Sequence, residues 1–171
     1  MKWYALFSHT GSEIGRLSDA LGREPDCVLT NNPNDDQIDG MLDHTFMTHN
    51  EIESFLKQNV QPDDLVTLHG YMRILSSDVC QLDTTILNGH PAPIHLYPEL
   101  KGMDQQEELY FAKDAYPYMG TVIHKVSAEL DSGDILYHND APNTIQSVSD
   151  AYDKLKTMSF KLWRQCLEDL L

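Results

Sequence analysis

Three polar side chains in this sequence could together carry out acyl transfer. Asn88 and His90 follow the apolar run 86–87, and Asp131 begins a later turn-forming stretch, Asp-Ser-Gly-Asp. An amide can donate a hydrogen bond to a negative oxygen, and an imidazole beside a carboxylate can move a proton. Together they could pass an acyl group to an amine without a covalent enzyme intermediate. Taken alone, Asn-x-His is also typical of a loop Asn that bonds its own backbone, and Asp131 of an ordinary turn.

The elements that must position this trio alternate between strands and helices. Thr48 and Asn50, each with a Glu three residues later, are alternative capping-box starts for one helix. Pro91 favours an extended backbone at His90. Strands are predicted over 2–8, 27–30, 43–47, 65–69, 86–87, 120–126 and 135–138. Helices are predicted over 12–21, from 48 or 50 to 59, over a short stretch after 76, over 104–113 and over 147–171.

This order predicts one α/β domain over residues 1–171, with a single Rossmann-like, doubly wound, mostly parallel sheet and a C-terminal amphipathic helix. Ligands of such sheets bind at the carboxyl ends of the strands. We expect Asn88 and His90 just past one such end and residues 69–73 past the preceding one. The last helix is expected to bury a stripe at helical spacing, made of Tyr152, Leu155, Met158, Leu162, Cys166 and Leu170.

Composition excludes several kinds of partner. The 171 residues include 27 acidic and 12 basic side chains, a formal net charge of -15 that repels phosphate backbones and argues against nucleic-acid binding. The apolar start at 1–7 is too short for a signal peptide or a membrane span, so we expect a cytoplasmic protein with no membrane partner. Neither paired Cys spacing nor an H-x-x-x-H motif is present, which predicts reduced cysteines and no metal.

Four ordered blocks resemble the folate-dependent formyltransferases. Within that family the sequence is most similar to the glycinamide ribonucleotide formyltransferases, in a shorter form. The blocks are Gly70-Tyr71-Met72-Arg73-Ile74-Leu75-Ser76, Asn88-x-His90-Pro91, Tyr97-Pro98-x-Leu100-x-Gly102 and Gly120-Thr121-x-x-His124-x-Val126-x-x-Glu129-Leu130-Asp131-x-Gly133-x-Ile135-Leu136.

The resemblance implies transfer of a formyl group from 10-formyltetrahydrofolate, a co-substrate, with Asn88, His90 and Asp131 as catalytic residues. Asn88 would donate to the oxyanion, and Asp131 would hold His90 and raise its pKa. His124 is expected to be a buried core or supporting histidine. The folate would bind Tyr71, Met72, Arg73, Ile74, Leu75, Ser127, Ala128 and Glu129, although Arg73 could be a surface cation and Met72, Ile74 and Leu75 core residues.

The acceptor is expected to bind Gly11, Ser12, Glu13, Gly70 and Pro91. The Gly-Ser loop would take a phosphate at a helix N-terminus, although Ser12 could be a plain helix cap and Glu13 would oppose an anion. Gly89 replaces the family's usual apolar residue, and Ala92-Pro93 begins a departure from its Ser-Leu-Leu-Pro pattern.

These departures leave the acceptor open. The leading prediction is formylation of glycinamide ribonucleotide in purine biosynthesis. An amino-sugar nucleotide N-formyltransferase, a 10-formyltetrahydrofolate hydrolase and a non-catalytic folate-binding or interaction module are the alternatives. An exposed part of the helix over 163–171 would make a homodimer possible.

Overall fold

The computed structural model describes all residues from Met1 to Leu171. The chain forms seven strands and five α-helices, which alternate except at two places where one strand follows another without an α-helix between them. The strands are β1 (Trp3–Phe7), β2 (Cys27–Thr30), β3 (Thr45–Phe46), β4 (Leu65–Leu68), β5 (Thr85–His90), β6 (Tyr118–Lys125) and β7 (Ile135–Pro142). The helices are α1 (Ser12–Leu21), α2 (His49–Asn59), α3 (Ser77–Cys80), α4 (Gln105–Phe111) and α5 (Val148–Leu170).

The strands form one sheet in the order β3-β2-β1-β4-β5-β6-β7. The pairs β1–β2, β1–β4, β2–β3 and β4–β5 are parallel, whereas β6 and β7 are antiparallel. The predicted α/β class, the mostly parallel sheet and the C-terminal helix are therefore confirmed. None of the helices combines the length and apolar content that crossing a bilayer requires.

The chain divides into two compact units. The N-terminal unit comprises Met1–Asn88, Val126–Ala128 and Leu171, and the C-terminal unit comprises Gly89–Lys125 and Glu129–Leu170. That residues 1–171 act as one catalytic domain stays a prediction.

The N-terminal unit is built on β1 to β4 and α1 to α3. All five residues of β1 are buried, as expected for a central parallel strand covered on both faces. Thr48 caps α2 through a complete capping box: its side chain accepts from the Glu51 N–H, and the Glu51 carboxylate accepts from the Thr48 N–H. The first of the two predicted starts is thus the correct one.

The C-terminal unit packs β6, β7, α4 and α5 around an apolar cluster that includes Leu109, Val122 and Leu155. The predicted stripe of α5 is wrong at Tyr152, which is 40% exposed. Its hydroxyl donates to Glu107 Oε1 at 2.6 Å, so the polar tip of this amphipathic side chain favours the surface. The buried face of α5 consists of Ala151, Leu155, Leu162, Trp163, Cys166 and Leu167. All three cysteines are free thiols.

Strand β5 is longer than the sequence suggests. Pairing with β4 continues to the end of that strand, where Leu68 is the register partner of Asn88. Asn88 and His90 therefore lie in the last three residues of the strand, and the expectation that they follow its end is wrong. Main-chain pairing with a buried neighbour outweighs the low strand propensity of Asn and Gly.

Candidate active site

The order of the sheet reverses between β1 and β4, and the loops after these strands meet there. The Ser8 N–H donates to the Gly70 carbonyl at 3.2 Å. The Ser8 hydroxyl accepts from the Met72 N–H at 2.8 Å. The structure thus brings Gly70, an expected acceptor-binding residue, and Met72, an expected folate-binding residue, against the loop that leads to the predicted phosphate site.

Gly11 is the N-cap of α1, and Ser12 is the first helical residue rather than the cap. The φ of Gly11 is 70°, a left-handed conformation that favours glycine. A Cβ there would also lie 2.5 Å from Leu42 Cδ2 and 3.0 Å from Phe7 Cζ. Backbone angle and packing both require glycine, and they allow the chain to turn directly into the helix N-terminus.

Glu13 is held by a buried histidine. Its Oε1 lies 2.9 Å from His69 Nδ1, and the other ring nitrogen of His69 lies 2.9 Å from the Thr67 hydroxyl. The sequence suggests that Glu13 would oppose an anion at the start of α1. This hydrogen bond offsets part of that repulsion, because the carboxylate charge is shared with a protein donor.

The segment Tyr71 to Leu75 divides into buried ends and an exposed middle. Tyr71 and Leu75 belong to the apolar core of the N-terminal unit, and Val126 packs against the same cluster. Burial raises the pKa of Tyr71, whose hydroxyl lies 2.8 Å from His49 Nδ1. The middle residues Met72, Arg73 and Ile74 are exposed. The core interpretation thus fits Leu75, whereas Met72 and Ile74 lie outside the core.

In the C-terminal unit, the carboxylate of Asp131 lies between two buried imidazoles. Its Oδ2 is 3.2 Å from His90 Nδ1, and its Oδ1 is 3.4 Å from His124 Nε2. The three side chains are only 3–5% exposed. The structure thus joins two of the three predicted catalytic residues and gives His124 its expected supporting place.

Backbone groups fix the cluster from outside. His90 Nε2 donates to the Leu100 carbonyl and His124 Nδ1 to the Lys125 carbonyl, both at 2.8 Å. The Gly102 N–H donates to Asp131 Oδ2 at 2.9 Å. Each ring therefore has one nitrogen bound to a carbonyl and the other facing the carboxylate. The residue types of Leu100 and Gly102 predict no role in the site, although both lie in the block Tyr97-Pro98-x-Leu100-x-Gly102.

The backbone of Asp131 has the left-handed φ of 51°, which Asp and Asn tolerate better than most residues. Two residues later, a Cβ at Gly133 would overlap the Lys125 carbonyl. The turn therefore requires a residue that tolerates a positive φ at position 131 and a glycine at position 133. It presents the carboxylate toward the strands instead of to water.

Burial dominates the electrostatics of the pair. It lowers the pKa of His90, although the charge of Asp131 and the Leu100 carbonyl both raise it. Burial also raises the pKa of Asp131, but the hydrogen bond from His124, the charge of His90 and the Gly102 N–H together lower it by more than burial raises it. The net shift of this pKa is therefore downward. Asp131 thus raises the pKa of His90 as expected, but burial outweighs this effect. The site combines an ionised carboxylate with an imidazole that readily becomes neutral.

Asn88 belongs to the N-terminal unit, where it is half-buried. Residues two apart in a strand point to the same face, so Asn88 and His90 share one side of β5 and Gly89 faces the other. A Cβ at Gly89 would lie 2.5 Å from Trp163 Nε1. The residue between the two polar side chains is therefore a glycine because α5 places an indole ring against it.

The doubly wound sheet and the buried imidazole–carboxylate cluster define an α/β enzyme suited to acid–base group transfer. The sequence model described as formyl transferase matches residues 23–163. The chain belongs to this family of enzymes, which confirms the resemblance seen in the sequence. A search of curated proteins found no match.

Solved structures share the fold over nearly the whole chain. The phosphoribosylglycinamide formyltransferase of Campylobacter jejuni is 22% identical with a TM-score of 0.80, and the match covers 99% of this chain and 96% of that one. That of Anaplasma phagocytophilum is 23% identical with a TM-score of 0.79, covering 96% and 84%. A formyltetrahydrofolate deformylase from Pseudomonas syringae is 18% identical with a TM-score of 0.75, covering 98% and 62%. At these identities the likeness concerns the fold.

Proposed function

We propose that the protein transfers a formyl group from 10-formyltetrahydrofolate to a small amine, with glycinamide ribonucleotide as the first candidate acceptor. The observation that carries the proposal is the Asp131 carboxylate buried between His90 and His124. Membership of the formyl transferase family and the fold of phosphoribosylglycinamide formyltransferases support it. With this acceptor the enzyme would act in purine biosynthesis.

The chemistry needs an oxyanion donor and a route for one proton. The neutral amine attacks the formyl carbon, which creates a negative oxygen and a positively charged nitrogen. The Asn88 amide donates to that oxygen, a type of contact that contributes about 3 kcal/mol in mutant comparisons. His90, held at Nδ1 by Asp131, turns its Nε2 away from the Leu100 carbonyl, takes the proton from the amine nitrogen and passes it to the departing folate nitrogen. A bond to the amine nitrogen forms as the bond to the folate nitrogen breaks.

The two substrates are assigned to segments by the family resemblance. The folate would contact the segments 71–75 and 127–129, largely through backbone groups. The phosphate of the acceptor would bind at Gly11 and Ser12, with Glu13, Gly70 and Pro91 near the rest of the molecule. The partners proposed are small molecules, and dimerisation through α5 stays a prediction.

A hydrolase that releases formate from the same folate is the second candidate. The observation that favours it is the shared fold with the formyltetrahydrofolate deformylase. The same three side chains could direct a water molecule in place of an amine. The two functions differ in one product: free formate forms without an amine only in the hydrolase.

The deciding experiment incubates the protein with 10-formyltetrahydrofolate, with and without glycinamide ribonucleotide, and follows both the absorbance of the deformylated folate and the release of formate. We expect amine-dependent turnover that His90→Ala abolishes. His44→Ala is the matched control, because His44 also lies 2.9 Å from a carboxylate, that of Asp35, outside the cluster. Turnover without the amine would favour the hydrolase. No turnover while folate still binds would exclude glycinamide ribonucleotide and direct the search to amino sugars.

The role of Asn88 is tested separately. Asn88→Ala should lower kcat more than it raises the KM for folate, since its hydrogen bond forms in the transition state. A change confined to KM would make Asn88 a binding residue.

A further inference from the structure

A second cluster of histidines and a carboxylate lies outside the proposed catalytic residues. His95, His138 and Asp140 each offer one ligand atom, and these atoms all lie within 4.8 Å of one another. His95 Nε2 is 2.7 Å from Asp140 Oδ1, and His138 Nδ1 is 3.4 Å from Asp140 Oδ2. The two imidazole rings are tilted by 32° to each other, with their centroids 4.2 Å apart. All three residues belong to the C-terminal unit.

The local fold holds these groups in place. His138 and Asp140 are two residues apart on β7, so both side chains project from the same face of the strand. Asn139, between them, faces the other way, where its amide donates to the Met158 carbonyl at 2.9 Å. Ile94 is buried and anchors the turn that carries His95 toward β7.

Gly120 leaves the space that the carboxylate uses. It is the register partner of Asp140 on β6. A Cβ at this position would overlap the Asn139 carbonyl oxygen and would lie 3.0 Å from Asp140 Oδ1 and 3.2 Å from Pro93 Cβ. The missing side chain lets the carboxylate and the turn before His95 approach the same point of the sheet.

The hydrogen bonding of His95 is incomplete. Both of its ring nitrogens are inaccessible to solvent and neither makes a hydrogen bond, although Nε2 is within ion-pair distance of Asp140. Buried polar atoms almost always have a partner. The imidazole of His138 is 52% exposed, so the cluster is open to solvent on that side.

The geometry points to a binding site for one divalent transition-metal ion, Zn²⁺ in the first instance, with His95, His138 and Asp140 as ligands. Two imidazoles and one carboxylate are donors that suit Zn²⁺ and its neighbours better than Mg²⁺ or Ca²⁺. Ligand atoms around tetrahedral zinc lie roughly 3.3 Å apart, so small side-chain rotations would close the site. The exposed side would leave a fourth position for water.

Sequence spacing did not predict this site, because its ligands come from a loop after β5 and from β7 instead of from one short motif. A bound ion would link the loop after β5, which carries His95, to strand β7. The site does not depend on the proposed transfer reaction.

The test uses the untagged 171-residue chain stripped of metal with a chelator. Calorimetric titration with Zn²⁺ should show one equivalent bound, and Mg²⁺ should show none. His138→Ala removes a half-exposed ligand with little risk to folding and should weaken Zn²⁺ binding by at least about 10-fold. Asp140→Asn should do the same. His44→Ala is the matched control, since it removes an imidazole that pairs with one carboxylate and no second histidine, and should leave the affinity unchanged.

A direct readout identifies the ligands. In NMR spectra of the imidazole nitrogens, Zn²⁺ should shift the signals of His95 and His138 and leave that of His44 in place. The Co²⁺ adduct should lack thiolate charge-transfer absorption, because no cysteine takes part. Equal affinity in His138→Ala and in the unmodified protein, absence of saturable binding, or shifts confined to His90 and His124 would each overturn the proposal and leave His95 and Asp140 as an ordinary ion pair.

Discussion

The packing of Trp163 against Gly89 allows a prediction about the free energy of unfolding. The same prediction tests whether the indole ring determines the residue type allowed at this position of β5. A Cβ at Gly89 would lie 2.5, 3.1 and 3.3 Å from three atoms of the indole ring. Trp163 is only 1% exposed, so the ring has little freedom to move away. Overpacking of this kind costs about 1–3 kcal/mol, and replacing glycine in a strand returns at most about 1 kcal/mol. The 2.5 Å approach to a buried ring places the cost at the upper end of that range, so we expect Gly89→Ala to reduce the free energy of unfolding by about 2 kcal/mol.

Urea unfolding followed by circular dichroism measures this cost. Gly40→Ala is the matched control, because no atom lies within 4 Å of a Cβ built there, and its effect should be close to zero. A second comparison places Gly89→Ala in a Trp163→Ala background. That background is itself destabilised by about 3–5 kcal/mol. With the indole removed, the added methyl group has room and should be neutral or stabilising.

A double-mutant cycle isolates the coupling between the two positions. The same cost for Gly89→Ala with and without Trp163 would refute the steric argument, because the penalty would then come from the strand backbone. If the coupling is found, the departure at Gly89 from the family's usual apolar residue is explained by the indole of α5.

Three further predictions concern the site, a helix cap and pH. Asp131→Asn should lower kcat by roughly 10²–10⁴-fold. The variant should still fold, since Asn tolerates the left-handed backbone and keeps an oxygen for the Gly102 N–H. The control Asp134→Asn changes an exposed carboxylate of the same turn and should have little effect on kcat. Thr48→Ala should cost about 1 kcal/mol in urea unfolding, and Thr48→Ser should retain the cap. Burial raises the pKa of Asp64, but two backbone N–H groups outweigh it and the pKa lies below the ordinary 3.8. The ionised Asp64 carboxylate therefore stabilises the fold above pH 3.8, and this stabilisation is lost as the pH falls through the folded-state pKa. Asp64→Asn should flatten this acid limb of a stability–pH curve, and an unchanged curve would contradict the assignment.

Local signals made much of the scaffold predictable. The helix over 12–21 has the predicted bounds, because glycine stands at both ends of an amphipathic stretch. Strand β2 also has the predicted bounds, since the β-branched and apolar residues end at a polar loop. In both cases one short stretch of sequence contains the whole signal.

Features that depend on distant partners were not predictable in this way. Strand β5 includes Asn88 because Leu68 of β4 is its register partner, and strand propensity does not describe this pairing. Tyr152 is outside the core because Glu107, in another helix, offers its hydroxyl an acceptor. The carbonyl of Leu100 fixes the His90 ring from ten residues away, and nothing in the residue type of a backbone donor or acceptor reveals its role.

The two edge strands of the sheet, β3 and β7, affect how readily the protein aggregates at high concentration. An edge strand with unpaired backbone groups can template pairing with another molecule. At one edge, β3 has only two residues, both exposed, and is too short to template much pairing. At the other edge, β7 has an imidazole and a carboxylate on its outer face and ends at Pro142, which has no N–H to donate. Both edges of the sheet are thus poor templates for aggregation, and a substitution that removes His138 or Asp140 also removes part of that protection.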